Sequence, residues 1–138
     1  MKKVITYTAT IYCGLRDGYG EEINSSYPDV INDYINNRSG GLCVTCTSTT
    51  FYYNGGQEPG IIVGIINYPR YPFSDEKIRR LAFELAEELM IKCKQYRVSI
   101  VFPEETILLE NKEKIEQDGT IEKWKEWNKL SKSIKNRT

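Results

Sequence analysis

The run GIIVGIINYPRYPF, from Gly60 to Phe73, constrains this chain most, because a wholly apolar stretch stops at a proline-bracketed arginine set among aromatic residues. Ile61, Ile62, Val63, Ile65 and Ile66 show no period-two alternation, which predicts a strand covered on both faces and central in its sheet. Pro69 and Pro72 bias Tyr68 and Tyr71 toward extended backbone and hold Arg70 on a stiff loop. A guanidinium between aromatic rings suits an anion attached to a flat ring: the fork grips phosphate while the rings stack on a base. The same residues equally fit a rigid turn whose tyrosines pack on the core and whose arginine is solvated.

Around this run the elements read in order. Alternation from Val4 to Leu15 predicts a half-buried strand, followed by a glycine-containing turn at Arg16-Asp17-Gly18-Tyr19-Gly20 that repeats the pairing of cation and ring. Ser26-Tyr27-Pro28-Asp29 carries helix-start signals, with Ser26 as the cap, and the helix runs to about Asn37. Leu42 to Asn54 is strand-like, its alternation slipping near Ser48 to Thr50 as a bulge would make it. The turn residues from Asn54 to Gly60 join it to the central strand through a longish hairpin loop. Ser74 caps an amphipathic helix whose face is Ile78, Leu81, Ala82, Leu85, Ala86 and Leu89, with Arg79, Phe83 and Met90 on a neighbouring stripe. Tyr96 to Phe102 is a strand, Thr106 to Glu110 a short further one, and Ile121, Trp124, Trp127, Leu130 and Ile134 follow a helical spacing.

The order predicts an α+β fold: an antiparallel sheet of four to five strands with two main helices in split-βαβ (ferredoxin-like) order, plus a C-terminal amphipathic helix. We expect one ligand-binding domain over residues 1–110 and a charged helical extension over 111–138. The 138 residues carry 19 basic and 19 acidic side chains, a balance that argues against holding long nucleic acid. No secretory leader or bilayer-length apolar run is evident, so a cytosolic protein with no membrane contact is expected. Cys13, Cys43, Cys46 and Cys93 read as reduced, buried or half-buried thiols, and the lone C-x-x-C at Cys43 and Cys46 lies on a strand that turns its two ends to opposite faces, away from a shared metal. Histidine is absent, and neither a Walker loop nor a dinucleotide fingerprint occurs, so binding is expected over catalysis, with no cofactor, no metal and no enzyme activity. Adjacent Glu104 and Glu105 lack an accompanying acid or base.

TYTATIYCGL near the start, GLCVTCTSTTFYYNGGQEPGIIVGIINYPRYP in the middle, and a helix leading into QYRVSIVFPEE together resemble the phage-encoded Thoeris anti-defence sponge proteins of the first type described. The resemblance spans roughly residues 4 to 110. It implies a phage or prophage protein in the cytoplasm of the bacterial host that sequesters glycocyclic ADP-ribose, made by a TIR-domain protein, without degrading it. It also implies a homodimer or higher homo-oligomer with pockets between protomers and, in some members, sites for cyclic oligonucleotides. The residues suited to such a pocket are Tyr68, Arg70, Tyr71 and Phe73 from the central loop, Arg16 and Tyr19 from the first loop, and Arg79 with Phe83 from the long helix, with Gly18 and Gly20 as hinges. A different reading makes the chain an interaction module that blocks a host protein through Trp124 and Trp127.

Overall fold

A computed structural model of the chain describes residues 1–17, 20 and 22–117. Its elements are β1 (Thr8–Gly14), α1 (Tyr27–Asn37), β2 (Val44–Tyr53), β3 (Gly56–Ile66), α2 (Asp75–Lys92), β4 (Arg97–Val101), β5 (Thr106–Glu110) and the short α3 (Lys112–Gln117). The strands form one antiparallel sheet in the order β2-β3-β1-β4-β5. This is the split-βαβ order with a fifth strand added beside β4. The predicted amphipathic helix bearing Trp124 and Trp127 lies outside the described residues.

The register assigns every strand residue to a face, since directly paired residues point the same way. Ala9, Ile11 and Cys13 pair with Ile65, Val63 and Ile61, and Ile11 also pairs with Ile100. These side chains are buried beneath α1 and α2 with Ile78, Leu81, Leu85 and Leu89. β3 is therefore central, but among the described residues its apolar run is covered on one face only, not on both as expected. Ile61, Val63 and Ile65 enter the core, whereas Ile66 on the other face is 52% exposed. The alternation that the run lacks in its sequence is present in its burial.

Three local readings change. β2 pairs with β3 without interruption from Val44↔Ile65 to Tyr53↔Gly56, so no bulge occurs. The slip in its alternation arises because this edge strand is largely exposed on both sides, leaving little selection for a period. The hairpin loop is short: Asn54-Gly55 closes it, Gly55 adopting φ 93°, and Gln57 to Gly60 belong to the strand. Pro59 sits within that strand because Leu15 donates its N–H to the Pro59 carbonyl, while the Leu15 carbonyl, which proline cannot serve, accepts from Asn24 N–H.

The helices start differently. Ser74 caps α2 by accepting from Lys77 N–H at 3.2 Å. Ser26 does not cap α1; its amide and hydroxyl both donate to Asn24 Oδ1. Cys13 and Cys93 are buried, but Cys43 and Cys46 are exposed, contrary to expectation, since Cys46 lies on the edge strand and Cys43 just ahead of it. Among the described residues no helix is long and apolar enough to cross a membrane.

Candidate functional site

Antiparallel pairing of β1 with β3 decides where the functional residues lie. The loop after β1 and the loop after β3 leave from opposite ends of the sheet, separated by the seven paired residues of β1, a span of about 20 Å. Arg16 is therefore at one end, and Tyr68, Arg70, Tyr71 and Phe73 are at the other. Arg79 and Phe83, near the start of α2, belong with the second group. Tyr19 and Gly18 lie outside the described residues. The expected pocket does not assemble within one chain.

The β3-exit end is a braced surface. Asn67 holds the loop by donating through Nδ2 to the Ile5 carbonyl and accepting Phe73 N–H at Oδ1. Tyr71 N–H closes a turn on the Tyr68 carbonyl, and the Arg70 guanidinium lies 5.6 Å from the Tyr71 ring centroid. Tyr68 and Tyr71 are exposed. Arg79 is already engaged: it pairs with Glu104 and Glu105 and lies 4.2 Å from the centroid of Phe102. Phe83 packs against that same ring. Tyr7 donates its hydroxyl to Glu104 at 2.6 Å; this bond, ahead of the Arg79 charge, holds the Glu104 carboxyl below the usual range. Burial pushes the Tyr7 phenol up, and the Glu104 bond adds to it. Here the two adjacent glutamates form a clasp joining α2 to the turn after β4.

The other end holds a different constellation, built from Gly14, Arg16, Glu58 and Gln95. Gln95 is 6% exposed, and its Nε2 donates to the carbonyls of Arg16 and Cys93 at 2.7 and 2.8 Å. Two carbonyl acceptors fix which end of the amide carries nitrogen, so Oε1 is the end turned toward Gly14. A Cβ placed on Gly14 would stand 2.8 Å from that oxygen and 3.2 Å from Glu58 Oε2. Two acceptors thus converge over a bare backbone. Among the described residues no side chain is paired with Glu58, and burial raises its carboxyl pKa despite the opposing charge of Arg16. Arg16 contributes the converse: its Nε is buried and has no hydrogen-bond partner. A buried unpaired donor costs free energy, which makes Arg16, linked through its carbonyl to Gln95 and through its charge to Glu58, a candidate for contact with a polar ligand.

Beyond this cluster, the face of the sheet away from α1 and α2 is rich in threonine and carries two neighbouring aromatic rings. Phe51 pairs with Glu58 across β2 and β3, leans over Gly60, and stands 6.4 Å from Tyr12, the rings tilted by 55°. Of this end, sequence reasoning found only Arg16. Glu58 was read as part of a loop, and Gln95 carried no motif. A glycine at the end of a well-alternating strand, Gly14, was the available signal, since such a residue often marks close approach by another group.

No protein-family model matches the sequence, and no curated protein does. Among solved structures, phage SAM lyase in complex with S-methyl-5′-thioadenosine superposes with a TM-score of 0.59 at 18% identity, covering 80% of this chain and 93% of that one. Phage SAM lyase in its apo state gives a TM-score of 0.57 at 20% identity, over 75% of this chain and 88% of that one. The chain shares the fold of a phage enzyme. That corrects the expectation of a chain without enzyme activity: the same arrangement of sheet and helices carries a lyase. These structures do not extend to the sponge proteins. What they show of this chain is its fold, one that in phage SAM lyase holds S-methyl-5′-thioadenosine.

Proposed function

We propose that this protein binds S-adenosylmethionine at the Gly14 end of its sheet and cleaves it as a lyase, in the cytoplasm of a bacterial host, as a phage anti-defence activity. The observation that carries the reading is the convergence of Glu58 Oε2 and Gln95 Oε1 over Gly14, next to the orphaned Arg16 Nε. The fold shared with a SAM lyase supports it. Two acceptors and one donor match a zwitterion: the acceptors take the α-ammonium, and the guanidinium takes one oxygen of the α-carboxylate.

A lyase needs neither water nor a redox partner, and this substrate supplies its own nucleophile. The free carboxylate oxygen attacks the γ-carbon, a C–O bond forms as the C–S bond breaks, and the electron pair stays on sulfur. S-Methyl-5′-thioadenosine and homoserine lactone result, with no net proton transfer. Opposite charges on carboxylate and sulfonium are partly neutralised in the transition state, so a partly desolvated site favours the step, and the residues need only hold the substrate folded for in-line attack. Such chemistry requires no histidine.

Incubation of the purified protein with S-adenosylmethionine, followed by chromatography, tests this. Release of S-methyl-5′-thioadenosine and lactone in equal amounts, lost in Glu58→Gln, is the expected result. Unchanged S-adenosylmethionine with a folded protein would overturn the assignment, and stoichiometric capture of intact glycocyclic ADP-ribose by that protein would replace it.

A further inference from the structure

The face of the sheet away from α1 and α2 carries a feature that the acceptor pair does not explain. Phe51 is the cross-strand partner of Glu58, yet its ring does not stand up from the sheet. It lies over Gly60, where a Cβ would be 2.1 Å from Phe51 Cε2 and 2.9 Å from the Cys13 carbonyl oxygen. Only a residue without a side chain leaves room for the ring there, so Gly60 lets the edge of Phe51 rest against the backbone. Tyr12, on the neighbouring strand and the same face, is 38% exposed and meets Phe51 at 6.4 Å with a 55° tilt. The two rings lean together on this face, Phe51 directly opposite Glu58 in the pairing of β2 with β3.

We infer that Phe51 and Tyr12 are the purine-binding shelf of this protein, on which the adenine of an adenosine-bearing ligand stacks while its sulfonium amino-acid arm reaches Glu58, Gln95 and Arg16. This rests on the lyase reading and assigns its ligand selectivity. Three facts favour a purine over simple cover for the sheet. The Phe51 ring is packed over Gly60 and against Tyr12, which spares part of the conformational entropy a free side chain would lose on binding. Tilted rings present one face to a planar heterocycle and one edge to its rim. The ring pair adjoins the Glu58 and Gln95 oxygens over Gly14 and the unpartnered Arg16 Nε, so a ligand spanning both meets both.

Calorimetry with S-methyl-5′-thioadenosine, which keeps the purine and lacks the amino-acid arm, separates the shelf from the acceptor pair. S-Methylmethionine, a sulfonium without a purine, is the reciprocal probe. In Phe51→Ala, affinity for S-methyl-5′-thioadenosine should fall roughly ten- to a hundredfold, the scale of a lost base–aromatic stack. Response to S-methylmethionine should stay within about twofold, since the removed ring touches only the purine. Phe51→Leu, which keeps apolar cover over Gly60, guards against loss of folding and should weaken the thioadenosine by several-fold. Wild-type binding of S-methyl-5′-thioadenosine that is unchanged in a folded Phe51→Leu protein would overturn the shelf and leave the lyase reading standing. No binding by the wild type and no turnover of S-adenosylmethionine would overturn the lyase reading itself, and the shelf with it.

Discussion

Glu58 is the residue on which the proposed chemistry depends most. Burial raises its carboxyl pKa, so the folded chain holds a proton there at pH values where the unfolded chain has released it. Between the ordinary carboxylate value and the raised one, the folded state binds more protons, and stability falls as pH rises through that window. Glu58→Gln removes this dependence. Thermal denaturation from pH 4 to pH 8 should show a flatter profile for the variant and a higher midpoint than the wild type at pH 8, even though turnover is lost. A wild-type profile without that decline would mean the carboxyl is hydrated. Gly60 offers the complementary test. A methyl group there meets the Phe51 ring and a backbone oxygen, and overpacking of that kind costs about 1 to 3 kcal/mol. Urea unfolding of Gly60→Ala reads the loss.

At the scale of elements, the two long helices differ at their first turns in a way that composition conceals. Both are preceded by serine. Ser74 has extended backbone and accepts from Lys77 N–H, whereas the Ser26 hydroxyl donates to Asn24 and caps nothing. Ser74→Ala should cost about 1 kcal/mol of unfolding free energy, and Ser26→Ala should cost measurably less; equal losses would contradict the assigned caps. The helices were legible because apolar residues at three- and four-residue spacing have one arrangement that buries them together: all six residues of the expected α2 face are buried. The edge strand β2 was legible as a strand but not in its details. Its side chains meet little on either face, so its sequence records no face and imitates a bulge.

The molecule as a whole separates its two cation-and-aromatic clusters by the length of the sheet. Arg70→Ala, on the far loop, should leave turnover of S-adenosylmethionine within about twofold of wild type, because sites this far apart act independently. Arg16→Gln should raise KM. A large effect from Arg70 would require a second copy of the chain to bring that loop to the Gly14 end, and sedimentation of the active species would reveal it. By itself the sequence determined the elements, their order and the α+β class, since each follows from periodicities and breakers a few residues apart. It also placed Arg16 and Arg70 on loops. Only the tertiary structure decided that those loops leave opposite ends, because strand direction follows from pairing and not from local pattern. Likewise, Gly14, Glu58 and Gln95 meet only because β1 lies between β3 and β4, and no short-range signal records which strands will be neighbours. A glycine, a glutamate and a glutamine become a site through position alone.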